Sequence, residues 1–231
     1  MRKQQKIWQE EHQRTTSLPR MDSEDPSSAV VWFTDYLQQK KIHLLNKIID
    51  IGCGKGRNAI YLAQQGFEVW AVDYIPEALA EVQQKAKDSH IEGDIHTQEM
   101  AIDQVWPFDN DFFGIAIDCF SSIDVETKRG REIYRKEMLR TLKPGGFAFA
   151  AVVSADDELE AKMILKRPGP ERNSTYWEGT NKFQKDYDEL ELREFYKDFE
   201  VLEVKKVTKP AFKLGKKYMA TNFWVVLRKK K

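Results

Sequence analysis

The sequence predicts a Rossmann-like α/β fold, a mostly parallel sheet with helices on both faces. Three observations carry that prediction. Ile48-Ile49-Asp50-Ile51 reads as a strand that runs into Gly52-Cys53-Gly54-Lys55-Gly56; a helix follows over Asn58 to Gln65, then a second strand, Phe67 to Val72, ending on Asp73. Strand-like and helix-like segments then alternate through most of the chain, as in a sheet wound with crossover helices. The last two strand-like segments have no helix between them, so they pair antiparallel.

The bulk properties fit a single α/β domain. The chain has 231 residues, 41% hydrophobic and 32% charged. Lys plus Arg and Asp plus Glu both number 37, so net charge gives no push toward nucleic acid or an anionic membrane. No apolar run approaches the roughly 20 residues needed to span a bilayer. Met1 to Pro19 is charged and Gln-rich and lacks the apolar core of a secretory signal, so the expected location is the cytoplasm. Cys53 and Cys119 stand beside predicted strand ends and fit no metal pattern. The expectation is a reduced pair and no metal site.

Taken in order, Met1 to Arg14 can form a polar helix carrying Ile7, Trp8 and His12, and Thr15 to Pro26 reads as a loop or linker. Residues 1–25 are thus a helix and linker, either a frayed tail or a lid that packs Trp8 over a ligand. Residues 26–231 form the main domain. Pro26-Ser27-Ser28 opens a helix through about Gln39, with Val30, Val31, Phe33 and Leu37 as its apolar face. Lys40 to Lys47 is a basic linker into the first strand. Pro76 to Ser89 is a helix with Ala78, Leu79, Val82 and Ala86 facing inward. Ile95 to Met100 is a third strand and Phe112 to Ile117 a strand covered on both faces. Thr127 to Leu142 is a charged helix stopped by Lys143-Pro144-Gly145-Gly146, and Phe147 to Val153 is another buried strand. Ser154 to about Asp186 breaks the rhythm and reads as an irregular insertion. Tyr187 to Tyr196 is a helix, Phe199 to Val207 a strand, Lys209 to Lys217 a basic loop, and Met219 to Arg228 the final strand. Lys229-Lys230-Lys231 reads as a solvated tail.

The glycine turn narrows the ligand. Gly52, Gly54 and Gly56 are spaced G-x-G-x-G, whereas the dinucleotide fingerprint needs glycine where Arg57 stands. The helix beginning near Asn58 points free N–H groups at the turn, while Asp50 can accept from a cationic amine. A site with both features suits a zwitterion better than a pyrophosphate. Asp73 can accept from two ribose hydroxyls, or act as a solvated turn residue or helix cap. Tyr74 and Ile75 can pack on a flat base.

The order Asp50…Gly52-x-Gly54-x-Gly56, Asp73, Pro107-Phe108…Phe113 and Leu142-Lys143-Pro144-Gly145-Gly146 resembles class I S-adenosylmethionine-dependent methyltransferases. The resemblance covers roughly Ile48 to Val153 and implies a seven-stranded sheet with an antiparallel last strand. Gly54 to Ala63 is particularly similar to the tellurite-resistance and thiopurine-type branch, which acts on small, soft acceptors. By this resemblance Asp50 and the backbone of Gly52, Cys53, Gly54 and Gly56, with Asn58 beside them, hold the methionine part. Asp73 and Tyr74 serve the ribose side, and Met100, Ala101 and Asp103 flank the adenine. Asp118, Cys119 and Phe120 leave the fourth strand at the methyl-donor end.

Methyl transfer is an in-line displacement at a sulfonium carbon, so the protein mainly aligns the acceptor and excludes water. A base is needed only for an acceptor that arrives protonated. Asp118, Asp124 and His12 are the candidates, each with a plainer reading: a capped strand end, a helix N-cap and a surface histidine. Trp8, Phe120, Tyr176 and Trp177 are candidates for the acceptor pocket. Asp118-Cys119-Phe120-Ser121 lacks the Pro-Cys and Asn-Pro-Pro-Tyr patterns of nucleic-acid methyltransferases. The main expectation is transfer from S-adenosylmethionine to a small-molecule acceptor, with no membrane. The alternatives are an RNA or protein methyltransferase, a non-catalytic cofactor-binding module and an NAD-binding enzyme. Lys205, Lys206, Lys209, Lys213, Lys216 and Lys217 are the argument for a phosphate-bearing partner, against a solvated edge hairpin. Nothing in the sequence points to an oligomeric state.

Overall fold

The computed structural model describes residues 3–13, 23–42, 46–213 and 216–231. The first part of the linker, residues 15–22, and residues 43–45 of the basic linker lie outside those residues.

Five strands form the parallel part of the sheet: β1 (Lys47–Ile51), β2 (Glu68–Asp73), β3 (Ile95–Glu99), β4 (Phe113–Cys119) and β5 (Leu142–Val153). β9 (Lys216–Arg228) pairs antiparallel with β5 and with β8 (Glu200–Lys213), so the order is β3-β2-β1-β4-β5-β9-β8. This is the expected sheet, with the last strand alone running against its neighbours. β1 and β4 are central and buried on both faces, as their runs of Ile, Val and Ala require. Chain order reverses between them, which opens a crevice at their carboxyl ends.

Each face carries its own core. On one, α2 (Ser28–Gln39), α3 (Arg57–Gln64) and α4 (Pro76–Asp88) pack Phe33, Leu62 and Val82 against Ile48, Ile115 and Phe149. On the other, α5 (Lys128–Thr141) and α7 (Glu189–Phe195) pack Tyr134, Met138, Leu192 and Tyr196 against Ile49, Ala116 and Ala148. Side chains fix where these helices begin. Ser27 caps α2, Thr127 caps α5 by accepting from Gly130 N, and Asp188 with Glu191 forms a capping box on α7.

Three expectations need correction. The segment over 154–186 is ordered: it holds α6 (Glu158–Lys166) and a hairpin of β6 (Ser174–Tyr176) and β7 (Phe183–Lys185). Half-buried ion pairs pin it, Arg131 to Glu171 at 2.5 Å and Lys185 to Glu191 at 3.1 Å. The basic loop over 209–217 is largely strand. β8 and β9 pair from Glu200↔Arg228 to Lys213↔Lys216 and run beyond the end of β5 as a two-stranded ribbon. β8 is a sheet edge, which tolerates Pro210 and favours lysine. Lys229 is no solvated tail: its backbone pairs with Gly145 and Gly146, and its Nζ donates to the Leu142 carbonyl at 2.6 Å.

Candidate functional site

A cavity of about 1350 Å³ lies over the carboxyl ends of β1, β2, β4 and β5, larger than the usual range of ligand pockets, about 300–1000 Å³. One half is built on the glycine turn. Gly52, Gly54 and Gly56 have φ of 65°, 53° and 81°, which L side chains rarely adopt. At Gly56 an added Cβ would lie 2.6 Å from Val82 Cγ2; at Gly54 it would point into the cavity, where only His12 comes near, at 3.7 Å. The turn is tied to β2 by Cys53 N donating to Val72 O (2.9 Å) and Gly54 N donating to Asp73 Oδ2 (2.9 Å). Ile75 N donates to Asp73 Oδ1 at 3.0 Å. Asp73 thus lines the cavity while two backbone donors fix its carboxylate. Burial pushes its pKa up, and those two bonds oppose the shift.

Asp50 lies beneath the turn rather than in the cavity wall. It is buried, its Oδ2 has no hydrogen-bond partner among the described residues, and its pKa is raised to about 7. Burial is the main cause and the Asp118 charge adds to it, while Arg57 opposes. Arg57, on the first turn of α3, lines the cavity. Asn58 accepts from Ser27 N at 2.9 Å and so joins α3 to the start of α2.

Helix α1 (Lys3–Gln13) closes one side. Gln5 Nε2 donates to Tyr74 O (2.9 Å) and Gln9 Nε2 to Glu77 (2.7 Å). Toward the inserted hairpin, Phe183 N donates to Gln4 Oε1 (3.3 Å), and Lys182 Nζ lies 4.3 Å from the Trp8 ring centroid. Trp8 and His12 both line the cavity. The buried His12 Nδ1 has no hydrogen-bond partner among the described residues; burial lowers its pKa, and the Asp73 charge works against that. Ala101, Ile102 and Asp103 after β3, with Asp124 and Val125, line the region beyond Asp73.

The other half lies beyond β4. Phe120 has φ of 69°, an uncommon conformation for an aromatic residue, and is held by Phe120 N donating to Ala151 O (2.9 Å). Cys119 and Phe120 line the cavity here. The Cys119 thiol is pushed up to about 11, chiefly by burial, so it is not a thiolate near neutrality. The wall is the β8–β9 ribbon, whose residues Tyr218, Ala220, Asn222 and Trp224 recur at every second position of β9. Facing them are Asp157 and Glu160 of the first turn of α6.

Several candidates therefore stand elsewhere than the sequence reading placed them. Asp118 is turned into the core, accepting from Ser121 N (2.8 Å) and Tyr134 Oη (2.8 Å), and does not line the cavity. Met100 packs with the core on the α5 face. Tyr176 and Trp177 serve the inserted hairpin: Tyr176 bonds Glu126 at 3.4 Å, and Trp177 Nε1 donates to Gln184 at 3.0 Å. Gly56 shapes the turn behind the cavity wall. Asp124 sits in a single 3-10 turn, Ser122–Asp124, and lines the cavity; the N-cap of α5 is Thr127. Arg57, Asp157, Glu160, Tyr218, Asn222 and Trp224 were missed. The Asp157-x-x-Glu160 spacing before Met163 and the alternation over 218–224 were their signals in the sequence.

A glycine turn at the end of the first strand, an acid closing the second, and a β9 strand inserted antiparallel beside the fifth give the fold seen in S-adenosylmethionine-dependent methyltransferases. Residues 48–146 match the family model of a methyltransferase domain, and the chain carries that family's fold. It is 33% identical over 109 residues to the putative methyltransferase YqeM of Bacillus subtilis, covering 47% of this chain and 43% of that protein. It is 27% identical to a probable S-adenosyl-L-methionine-dependent methyltransferase, TehB, of Haemophilus influenzae, over 73% of this chain and 51% of that one. Among solved structures, an S-adenosylmethionine-dependent methyltransferase of Methanosarcina mazei superposes with a TM-score of 0.73 at 20% identity, over 84% of this chain and 97% of that one. The chain spans about half the length of the curated relatives it matches. Among the described residues no helix is long and apolar enough to cross a membrane.

Proposed function

We propose that the protein transfers a methyl group from S-adenosylmethionine to a small-molecule acceptor. One observation carries this reading: a single cavity joins the glycine turn and Asp73 to a second, differently built half behind Cys119. A cofactor and a small acceptor need that arrangement, and a cofactor alone does not.

The residues present fit the cofactor. Gly52 and Gly54 let backbone approach its methionine part, Asp73 accepts from its ribose, and the segment 101–103 flanks its base. Bound there, the cofactor supplies an electrophilic methyl carbon and a neutral thioether leaving group. The protein's work is alignment and exclusion of water. Helix α1 contributes a lid: Trp8 and His12 cover the cavity, while Gln4 and Gln5 pin the helix to the hairpin and to Tyr74. Cys119, protonated at neutral pH, is a wall and not a nucleophile. The cytoplasm suits such an enzyme.

Calorimetric titration with S-adenosylmethionine and S-adenosylhomocysteine tests the reading. Saturable one-to-one binding of both is expected. No heat of binding for either at millimolar ligand sinks it.

A further inference from the structure

We infer that His12 of helix α1 is a second partner of the cofactor's ribose, its Nδ1 bonding a hydroxyl that also donates to Asp73. The inference rests on reading the cavity as a methyl-transfer site and assigns a lid residue to its cofactor half.

The cavity face of α1 carries two polar atoms that the protein leaves unpaired. Gln4, Trp8 and His12 stand four residues apart, so they share one face of the helix, and all three line the cavity. Among the described residues nothing hydrogen-bonds Gln4 Nε2 or His12 Nδ1, although both atoms are buried. Gln4 is 8% exposed, and its Oε1 is already used by Phe183 N. Buried polar atoms are normally paired, by protein or by a bound group. A helix with two unpaired atoms on the face it turns to a cavity is shaped for a ligand there.

The path of α1 says which part of the ligand His12 meets. Gln5 bonds the Tyr74 carbonyl and Gln9 bonds Glu77, so the helix lies along the chain that follows Asp73. At its C-terminal end the His12 ring comes over the glycine turn: its Cε1 would lie 3.7 Å from a Cβ added at Gly54. Gly54 N in turn donates to Asp73 Oδ2 at 2.9 Å. His12 thus stands close enough to Asp73 for each to feel the other's charge, yet among the described residues no hydrogen bond joins them. The Trp8 ring, one turn back along α1, lies 6.3 Å from the imidazole, centroid to centroid.

The donors and acceptors on the two sides complement each other. Each Asp73 oxygen takes a backbone donor, Gly54 N or Ile75 N, and keeps a lone pair for a ligand hydroxyl. A hydroxyl that donates to Asp73 has lone pairs of its own, and a neutral imidazole with its proton on Nδ1 donates to one of them. Burial lowers the His12 pKa, and the charges facing it, Asp73, Lys55, Glu81 and Glu77, do not reverse that, so the ring is neutral near pH 7. This placement makes His12 a binding residue rather than the general base that its residue type suggested.

A cycle of ligand and protein changes tests the contact. S-adenosylhomocysteine and its 2′-deoxy and 3′-deoxy analogues are titrated by calorimetry into the parent, His12→Ala and Gln9→Ala. Gln9 ties α1 to Glu77 and does not line the cavity, so its variant loosens the lid and leaves the imidazole in place. Loss of the contacted hydroxyl should weaken binding about tenfold in the parent and about threefold in His12→Ala. Gln9→Ala should keep the parent's penalty, whatever its affinity for S-adenosylhomocysteine. Three results overturn the inference: a parent indifferent to both hydroxyls, penalties unchanged in His12→Ala, or penalties that shrink as much in Gln9→Ala, which would make His12 a prop for the lid. Adenosine with its 2′-deoxy and 3′-deoxy forms separates this inference from the reading of the cavity. A His12-dependent hydroxyl penalty for adenosine, in a protein that binds neither S-adenosylmethionine nor S-adenosylhomocysteine, upholds the ribose contact and overturns methyl transfer. Tight S-adenosylhomocysteine binding with the same penalties in parent and His12→Ala does the reverse.

Discussion

The two halves of the cavity are built on opposite principles. In the glycine-turn half the chain satisfies itself: both oxygens of Asp73 are taken by backbone donors from Gly54 and Ile75, and the turn is fixed by three left-handed glycines. In the ribbon half, polar side chains from two distant elements, Asp157 and Glu160 at the start of α6 and Asn222 of β9, line the wall. A self-satisfied frame is rigid before any ligand arrives and holds one ligand in one place. An open constellation is set by side chains, and single substitutions change what it accepts. The first half is therefore fixed by the backbone and the second by side chains.

The contrast can be broken most severely at the turn. Gly56→Ala puts a Cβ against Val82 at φ 81° and should cost about 3 kcal/mol of stability, read by chemical denaturation. A loss below about 1 kcal/mol would show that the turn is not the rigid part.

Asp50 gives a test in pH. Its pKa is about 7 in the folded protein against an ordinary 3.8. Between those values the folded protein holds a proton that the unfolded chain has released, so stability falls as pH rises from about 4 to about 7 and then levels off. Asp50→Asn removes that contribution. Denaturation curves should show the variant about 4 kcal/mol more stable than the parent at pH 8 and equal to it near pH 4. A variant less stable at pH 8 contradicts the assignment.

Asp73→Ala should weaken S-adenosylhomocysteine at least tenfold, about 1.4 kcal/mol, by calorimetry. Unchanged affinity would mean that the ribose partner lies elsewhere. His12→Ala tests the lid: affinity should fall about threefold, through faster release, with stability within about 1 kcal/mol. Tyr176→Phe, which loses the bond to Glu126 but lies outside the cavity wall, should change S-adenosylhomocysteine binding by less than about 0.5 kcal/mol.

The same contrast explains what the sequence made legible. The turn half comes from near-consecutive residues whose types are forced by backbone geometry, so Gly52 to Gly56 and Asp73 could be read directly. Asp118 could not: whether a strand-end acid faces a ligand or a buried tyrosine depends on Tyr134, sixteen residues away. The ribbon half was hidden in two ways. Lysines over 205–217 mimic a loop, although an edge strand carries them equally well. The insertion over 154–186 is held by the half-buried pairs of Arg131 with Glu171 and Lys185 with Glu191, which no local pattern announces. Tyr176 and Trp177 looked like pocket aromatics for that reason, while Trp224 and Tyr218 on the ribbon line the cavity.

The central claim is that one cavity holds a cofactor in the turn half and an acceptor in the ribbon half. A crystal structure with bound S-adenosylhomocysteine tests it most directly. The account predicts the ribose against Asp73, the amino-acid end over Gly52 and Gly54, and the sulfur turned toward Cys119 with the space beside Asn222 open. A ligand lying along β9 against Asn222 and Trp224, with Asp73 untouched, would contradict it.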